Sequence, residues 1–274
     1  MRTTKSIFIT FGAGSKNYID AGKRLINQAK STGYFDKTIL YTDEYLRKDT
    51  QFWSSHSEFI SNNKRGYGYW IWKSYIIKKT FETMNDGDIL MYLDCGCEIG
   101  GEKELLIPTF FDYVKKDKII GSFTCIEKNW NKMDLLIYLN MQNSELINKS
   151  QHQAGALLFY ICKETRELVD KWYNIGCNYH MIDDSPSIEK NLECFEEHRH
   201  DQSIFSLLTK KYAIYSSKNL EDCVIYSRNK SGNSELNKES FVDLNRNITI
   251  LSNIFIIVII AIIAIIAITY TCIG

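Results

Sequence analysis

Residues 6–41 read SIFITFGAGSKNYIDAGKRLINQAKSTGYFDKTILY, and the hydrophobic period changes twice along them. Residues 6–11 (SIFITF) are almost continuously apolar, as in a strand covered on both faces. Gly12-Ala-Gly-Ser15 is a glycine turn. From there Tyr18, Ala21, Leu25 and Ala29 recur at helical spacing, and Gly33 supplies a helix stop. Residues 38–41 (TILY) read as a second short strand. Strand, helix and strand at this spacing form a βαβ unit. The expected fold class is therefore α/β, a Rossmann-type, mostly parallel central sheet flanked by helices.

The same reading extends downstream. Residues 65–73 (RGYGYWIWK) are an aromatic-dense turn leading into a helix over 70–81, and residues 85–88 (NDGD) are a turn. Residues 89–93 (ILMYL) are a central strand that stops abruptly at Asp94-Cys-Gly-Cys-Glu98. Strands are expected over 118–123, 154–161 and 224–226, and an amphipathic helix over 163–173. His198-Arg-His-Asp-Gln202 opens a helix with Ile204, Leu207 and Leu208 on one face. The segment 52–64 has no clear period. The expected organisation is a domain over 1–227, a polar linker over 228–247 and a transmembrane helix over 248–274.

Composition narrows the class. With 45% apolar and 13% aromatic residues among 274, the chain can bury a core. Lys plus Arg equals Asp plus Glu, 33 each, so no basic excess points to nucleic acid. The eight cysteines form no CxxC pair, which argues against a zinc site. Their scatter in a long chain with no signal peptide reads as reduced thiols facing cytosol.

Residues 254–273 (IFIIVIIAIIAIIAITYTCI) carry no charge and no proline. Twenty residues at about 1.5 Å rise span about 30 Å, the thickness of a hydrocarbon core. A core helix of so small a domain is shorter than this, and one lying on its surface has a polar face, which this run lacks. Arg228, Lys230, Lys238 and Arg246 precede the span and nothing basic follows it. The positive-inside bias then leaves the folded domain on the cytosolic side of a single-pass, C-terminally anchored protein.

Three stretches can carry chemistry. Ligands of open α/β sheets bind beyond the carboxyl ends of strands, where Asp94, Gly96 and Glu98 fall. Such carboxylates suit a hard cation or ribose hydroxyls, although a strand-terminal Asp is also an ordinary turn residue. Arg65 and Lys73 bracket Tyr67, Tyr69 and Trp70. Cations beside flat rings suit a diphosphate and a stacked base or sugar, although aromatics also simply pack in cores. Asp201 and Gln202 at a helix start either cap it or project into a cleft.

As an ordered set, Gly66-Tyr-Gly-Tyr-Trp-Ile-Trp-Lys73, Gly87-Asp-Ile-Leu-Met-Tyr-Leu-Asp94-Cys-Gly-Cys-Glu98 and His200-Asp-Gln202-Ser-Ile-Phe resemble the GT-A fold nucleotide-diphospho-sugar glycosyltransferases. The resemblance covers about residues 5–226. It implies a nucleotide sugar as donor, a UDP-sugar first, and a divalent metal, usually manganese, held by an Asp-x-Asp motif. Asp94 matches the first acid, and Gly96 stands where the second is expected. Glu98 would then reach the metal, or Asp94 would bind ribose alone. The resemblance also implies Asp201 and Gln202 as catalytic residues on the acceptor side, with Asp201 the base if the reaction inverts. Gln153 and Gly155, in the stretch 151–155 (QHQAG), would line the acceptor pocket. Arg65, Trp70 and Lys73 would hold the donor. The acceptor would be a glycan, a lipid-linked sugar or a protein at a membrane surface.

Two other readings stand beside it. Gly96 in place of an acid fits a catalytically inactive relative serving as a membrane-tethered binding or scaffold protein. Cys95-Gly-Cys97 fits a redox or metal-thiolate site.

Overall fold

The computed structural model describes residues 4–236. In chain order its first half contains β1 (Ser6–Phe11), α1 (Lys16–Thr32), β2 (Lys37–Tyr41), α2 (Asp43–Lys48), α3 (Thr50–Asn62), the single turn α4 (Gly66–Tyr69), α5 (Ile71–Glu82) and β3 (Ile89–Leu93). The second half contains α6 (Ile107–Asp117), β4 (Ile119–Ile120), β5 (Phe123–Ile126), α7 (Met133–Tyr138), β6 (Ser150–His152), β7 (Ala156–Tyr160), α8 (Lys163–Gly176) and α9 (His200–Tyr212).

Five strands form the central sheet in the order β2-β1-β3-β7-β4. β1 runs parallel to β2 and β3, as the βαβ spacing requires. β7 runs antiparallel to both β3 and β4. The sheet is therefore mixed, which corrects the mostly parallel expectation. The apolar run of β7 marks a buried strand but carries no direction. β5 and β6 pair separately as a small antiparallel ribbon, so the strand expected over 118–123 is divided between two sheets.

Side chains leave each strand alternately to two cores. Ile7, Ile9, Tyr92, Leu157 and Phe159 pack with Ile76, Trp172 and Phe205 from α5, α8 and α9. Phe8, Met91, Leu93 and Leu158 pack with Leu25 and Ala29 of α1 and with Phe110 and Val114 of α6. Both faces being covered is why β3 is apolar at every position, and each such side chain contributes roughly 1.5–3 kcal/mol.

Two further expectations change. Residues 224–226 make no strand; Ile225 forms one antiparallel bridge with Glu98. Residues 228–233 are not the start of a linker. Arg24 Nη1 donates to the carbonyls of Asn229 (3.2 Å) and Ser231 (2.7 Å), and the Asn229 amide donates to the Gly96 carbonyl at 2.9 Å. The compact unit accordingly runs to Asn233. No helix among the described residues is long and apolar enough to cross a membrane; the transmembrane reading of 248–274 lies outside them.

Candidate active site

β1 and β3 end side by side, and an open cleft of about 860 Å³ lies beyond them, within the size range of small-molecule sites. Asp94 is the first residue after β3. Its amide donates to the Gly155 carbonyl at 2.7 Å, which ties the end of β3 to the start of β7. Its carboxylate accepts from the Tyr92 hydroxyl and is one-third exposed, at 32%.

Lys73 comes from α5, a helix enclosed on nearly all sides, and its side chain is only 4% exposed. Its Nζ stands 3.2 Å from Asp94 Oδ1 and 3.4 Å from Asp201 Oδ2, over the Tyr92 ring. Burial opposes the lysine charge, but the carboxylates of Asp201 and Asp94 outweigh burial and raise its pKa above the usual lysine value. Asp201 lies in the first turn of α9 and is buried. Burial pushes its carboxyl up to about 7; Lys73 pulls it down and Asp94 pushes it up again. Its Oδ2 faces Lys73 but has no hydrogen-bond partner. A carboxyl poised near neutrality at a cleft is what proton transfer requires.

The turn before α5 forms another wall. Gly66, Tyr67, Gly68, Tyr69 and Trp70 all have positive φ, between 49° and 84°, so this segment winds left-handed. Tyr69 and Trp70 amides donate to the carbonyls of Arg65 (2.8 Å) and Gly66 (3.1 Å). A non-glycine residue in this conformation costs roughly 1–2 kcal/mol, or about 3–6 for the three aromatics. Ring packing offsets it. Tyr69 and Trp70 stack on His200 at 4.9 and 5.4 Å, and Trp72 stacks on Phe11 at 3.8 Å and donates to the Gly66 carbonyl. A Cβ at Gly66 would strike the Trp70 ring, so the glycine is required twice over. His200 also has positive φ, at 55°. Strain of this kind collects at functional sites.

Lys73, Asp94, Asp201, Gln202, Gln153, Gly155, Gly96, Arg65 and Trp70 all reach the cleft. They do not all stand ready for a ligand. Arg65 is held at the rim by Asp184, at 3.2 Å, and by Glu197. Gln202 accepts from the Ala154 amide and donates to Gln151 Oε1 at 2.6 Å, so it pins 151–154 to α9. Gln153 donates to the Phe123 carbonyl and leaves its Oε1 unpartnered. At Gly155 a Cβ would strike the Tyr226 hydroxyl and come within 2.9 Å of Asp94 Oδ2.

Glu98 is the exception. It is fully buried and absent from the cleft wall; its oxygens accept from Gln28 at 2.8 Å and Asn229 at 2.7 Å. Its backbone bridge to Ile225 turns it beneath the site. Among the described residues, Asp94 thus has no second acid beside it except Asp201, and Lys73 sits between the two. Among the described residues no group of three or more His, Cys, Asp and Glu is placed to hold a metal ion. These donors do not fit the divalent metal that the sequence resemblance implies.

No protein-family model matches the chain, and no curated protein matches it. Among solved structures it is similar to mouse xyloside xylosyltransferase 1 in its apo form, with 10% identity over 78% of this chain and 84% of that one and a TM-score of 0.43. It is similar also to the galactosyltransferase LgtC in complex with donor and acceptor sugar analogues, with 14% identity over 76% of this chain and 72% of that one and a TM-score of 0.43.

The sequence reading missed Tyr18, Arg199, Tyr226, Arg228 and Lys230, which also line the cleft. Arg228 and Lys230 count there only as positive charges ahead of the hydrophobic segment. Their i, i+2 spacing just after Tyr226 is the available signal. The cysteine reading loses support, since burial pushes the Cys95 thiol up to about 12 and raises Cys97 as well. Neither is a ready thiolate.

Proposed function

We propose that this chain is a glycosyltransferase that moves a sugar from a nucleoside-diphosphate donor, a UDP-sugar first, to an acceptor hydroxyl. The observation that carries the reading is Asp201, a buried carboxyl raised to about 7 that opens on a cleft beyond the ends of β1 and β3 and shares Lys73 with Asp94.

The chemistry is a displacement at the sugar's anomeric carbon. Its bond to the diphosphate oxygen breaks and the electron pair leaves with the diphosphate. The acceptor oxygen bonds to the same carbon. Asp201 takes the acceptor's proton. Lys73 keeps both carboxylates oriented, and Asp94 is placed for donor hydroxyls. Cations in the cleft stabilise the charge gathering on the leaving group. Gln153, with its free Oε1, is placed to read the acceptor.

The test is nucleoside-diphosphate release by the full-length chain from a panel of UDP- and GDP-sugars, with Asp94→Ala and Asp201→Asn alongside. Release that neither substitution changes would remove the site assignment. Absence of release and of binding across the panel would favour the scaffold reading. We further propose that residues 248–274 tether the domain to a membrane with its cleft facing the cytosol, where the acceptor is a glycan, lipid-linked or protein substrate. Protection of the domain from protease in sealed vesicles of cytosol-out orientation would refute this.

A further inference from the structure

Position 96 and the segment after Tyr226 are under one steric constraint. A Cβ at Gly96 would lie 3.1 Å from Arg228 Cα and 3.3 Å from its carbonyl carbon. The Gly96 carbonyl accepts from the Ser227 hydroxyl and from the Asn229 amide, each at 2.9 Å. Residues 227–231 therefore form a strap lying directly on the turn after Asp94. The strap is built in. Arg24 Nη2 donates to the Cys95 and Cys97 carbonyls at 2.9 and 2.8 Å, while its Nη1 holds the strap's own carbonyls. Asn229 is buried and bonded to Glu98. A side chain at 96, the second acid of an Asp-x-Asp pattern included, would press on the backbone of this strap and force it to shift by a few tenths of an ångström.

The strap carries charge of the opposite sign to that missing acid. Arg228 and Lys230 both line the cleft, and among the described residues no carboxylate pairs with either. Lys230 Nζ lies 5.5 Å from the centre of the Tyr18 ring. Lys64 and Arg199 on the other walls also have no carboxylate partner among the described residues. Asp94 and Asp201 already share Lys73. A divalent metal would find Asp94 and Asp201 already engaged by Lys73 and only Glu221 besides among the acids of the cleft wall, whereas an anion finds four cations with no carboxylate partner among the described residues.

Resting on the transferase reading, we propose that the donor's diphosphate is bound without a divalent metal, by Arg228 and Lys230 of the strap. The guanidinium can take two phosphate oxygens at once and the ammonium a third. The absent second acid and the cations that take its place then meet at one point, where the strap crosses Gly96.

The test is calorimetric binding of UDP, GDP, ADP and CDP to the full-length chain, once in chelator and once in manganese. One of them is expected to bind with the same Kd in both to within about threefold, since charge-assisted contacts to protein carry the affinity. Arg228→Ala and Lys230→Ala should each weaken it roughly tenfold or more, and Arg228→Lys should recover part. Gly96→Asp should weaken it, and manganese should not restore it. Should an Arg228 variant fail to fold, Lys230→Ala and the fall of wild-type affinity between low and high salt test the same point. Binding that requires manganese, or that is indifferent to both substitutions and to salt, would overturn the metal-free clamp and leave the transferase reading in place. A folded chain that binds none of the four in either condition would overturn the transferase reading itself.

Discussion

Two charge clusters meet at α9, one wholly buried and one open to the cleft, and their difference separates support from chemistry. In the first, Glu127 is wholly buried with every need met. Oε1 accepts from Lys210 at 2.8 Å and from Ser206, and Oε2 accepts from Asn131 at 2.7 Å and Gln151 at 3.0 Å. In the second, Asp201 and Asp94 compete for Lys73, and Asp201 Oδ2 has no hydrogen bond. A satisfied network rigidifies, and an unsatisfied one keeps capacity for a ligand. Gln151 bonded to Glu127 and Gln202 bonded to Gln151 join the two.

The largest expected break is Asp201→Asn. It should lower nucleoside-diphosphate release by roughly 10²–10⁴-fold, the worth of a positioned base, while circular dichroism stays native. Next, Glu127→Ala should cost roughly 3–5 kcal/mol in urea unfolding, because Lys210 is left buried without its partner. Replacing both, with Glu127→Gln and Lys210→Met, should cost less than the single change. If Glu127→Ala is silent in stability, the contrast between the clusters collapses.

The pH dependence sharpens the contrast. The Asp201 pKa rises on folding from 3.8 to about 7, so the folded state prefers the protonated form. Its contribution to stability is complete below pH 3.8 and is lost as pH rises towards 7. The base form appears over the opposite range, so turnover should fall about tenfold per pH unit below 7, with Asp201→Asn abolishing that limb. The same variant should gain stability over wild type at pH 8 relative to pH 5. Smallest of all, Gln202→Ala should cost about 1 kcal/mol from two lost hydrogen bonds, with a rise in KM exceeding any fall in kcat if it only positions the acceptor wall.

The β1-α1-β2 unit and β3 were legible because their periods are unambiguous and β3 stops sharply at Asp94. Strand direction was not, because β7 and β4 are apolar runs that read the same either way. Asp94, Lys73 and Asp201 were each visible as residue types in suggestive places. Their meeting on one ammonium was not, since it depends on α5 and α9 converging on the same face of the sheet. Glu98 misled because its distance from Asp94 along the chain suits a shared metal, whereas the bridge to Ile225 turns it inward. The strap misled because polar residues such as Asn229 and Ser231 look like a linker until their hydrogen bonds to Arg24 and Glu98 are seen.

The left-handed turn at Gly66–Tyr69 has a consequence for chemical synthesis of the protein. At Tyr67, Tyr69 and Trp70 the backbone already occupies the half of conformational space native to amino acids of inverted chirality. A semisynthetic chain with the Tyr67 stereocentre reversed, from L to D, should be relieved of roughly 1–2 kcal/mol of backbone strain, provided the ring keeps its packing. In this stretch a mirror-image residue suits the backbone better than the ribosome's own.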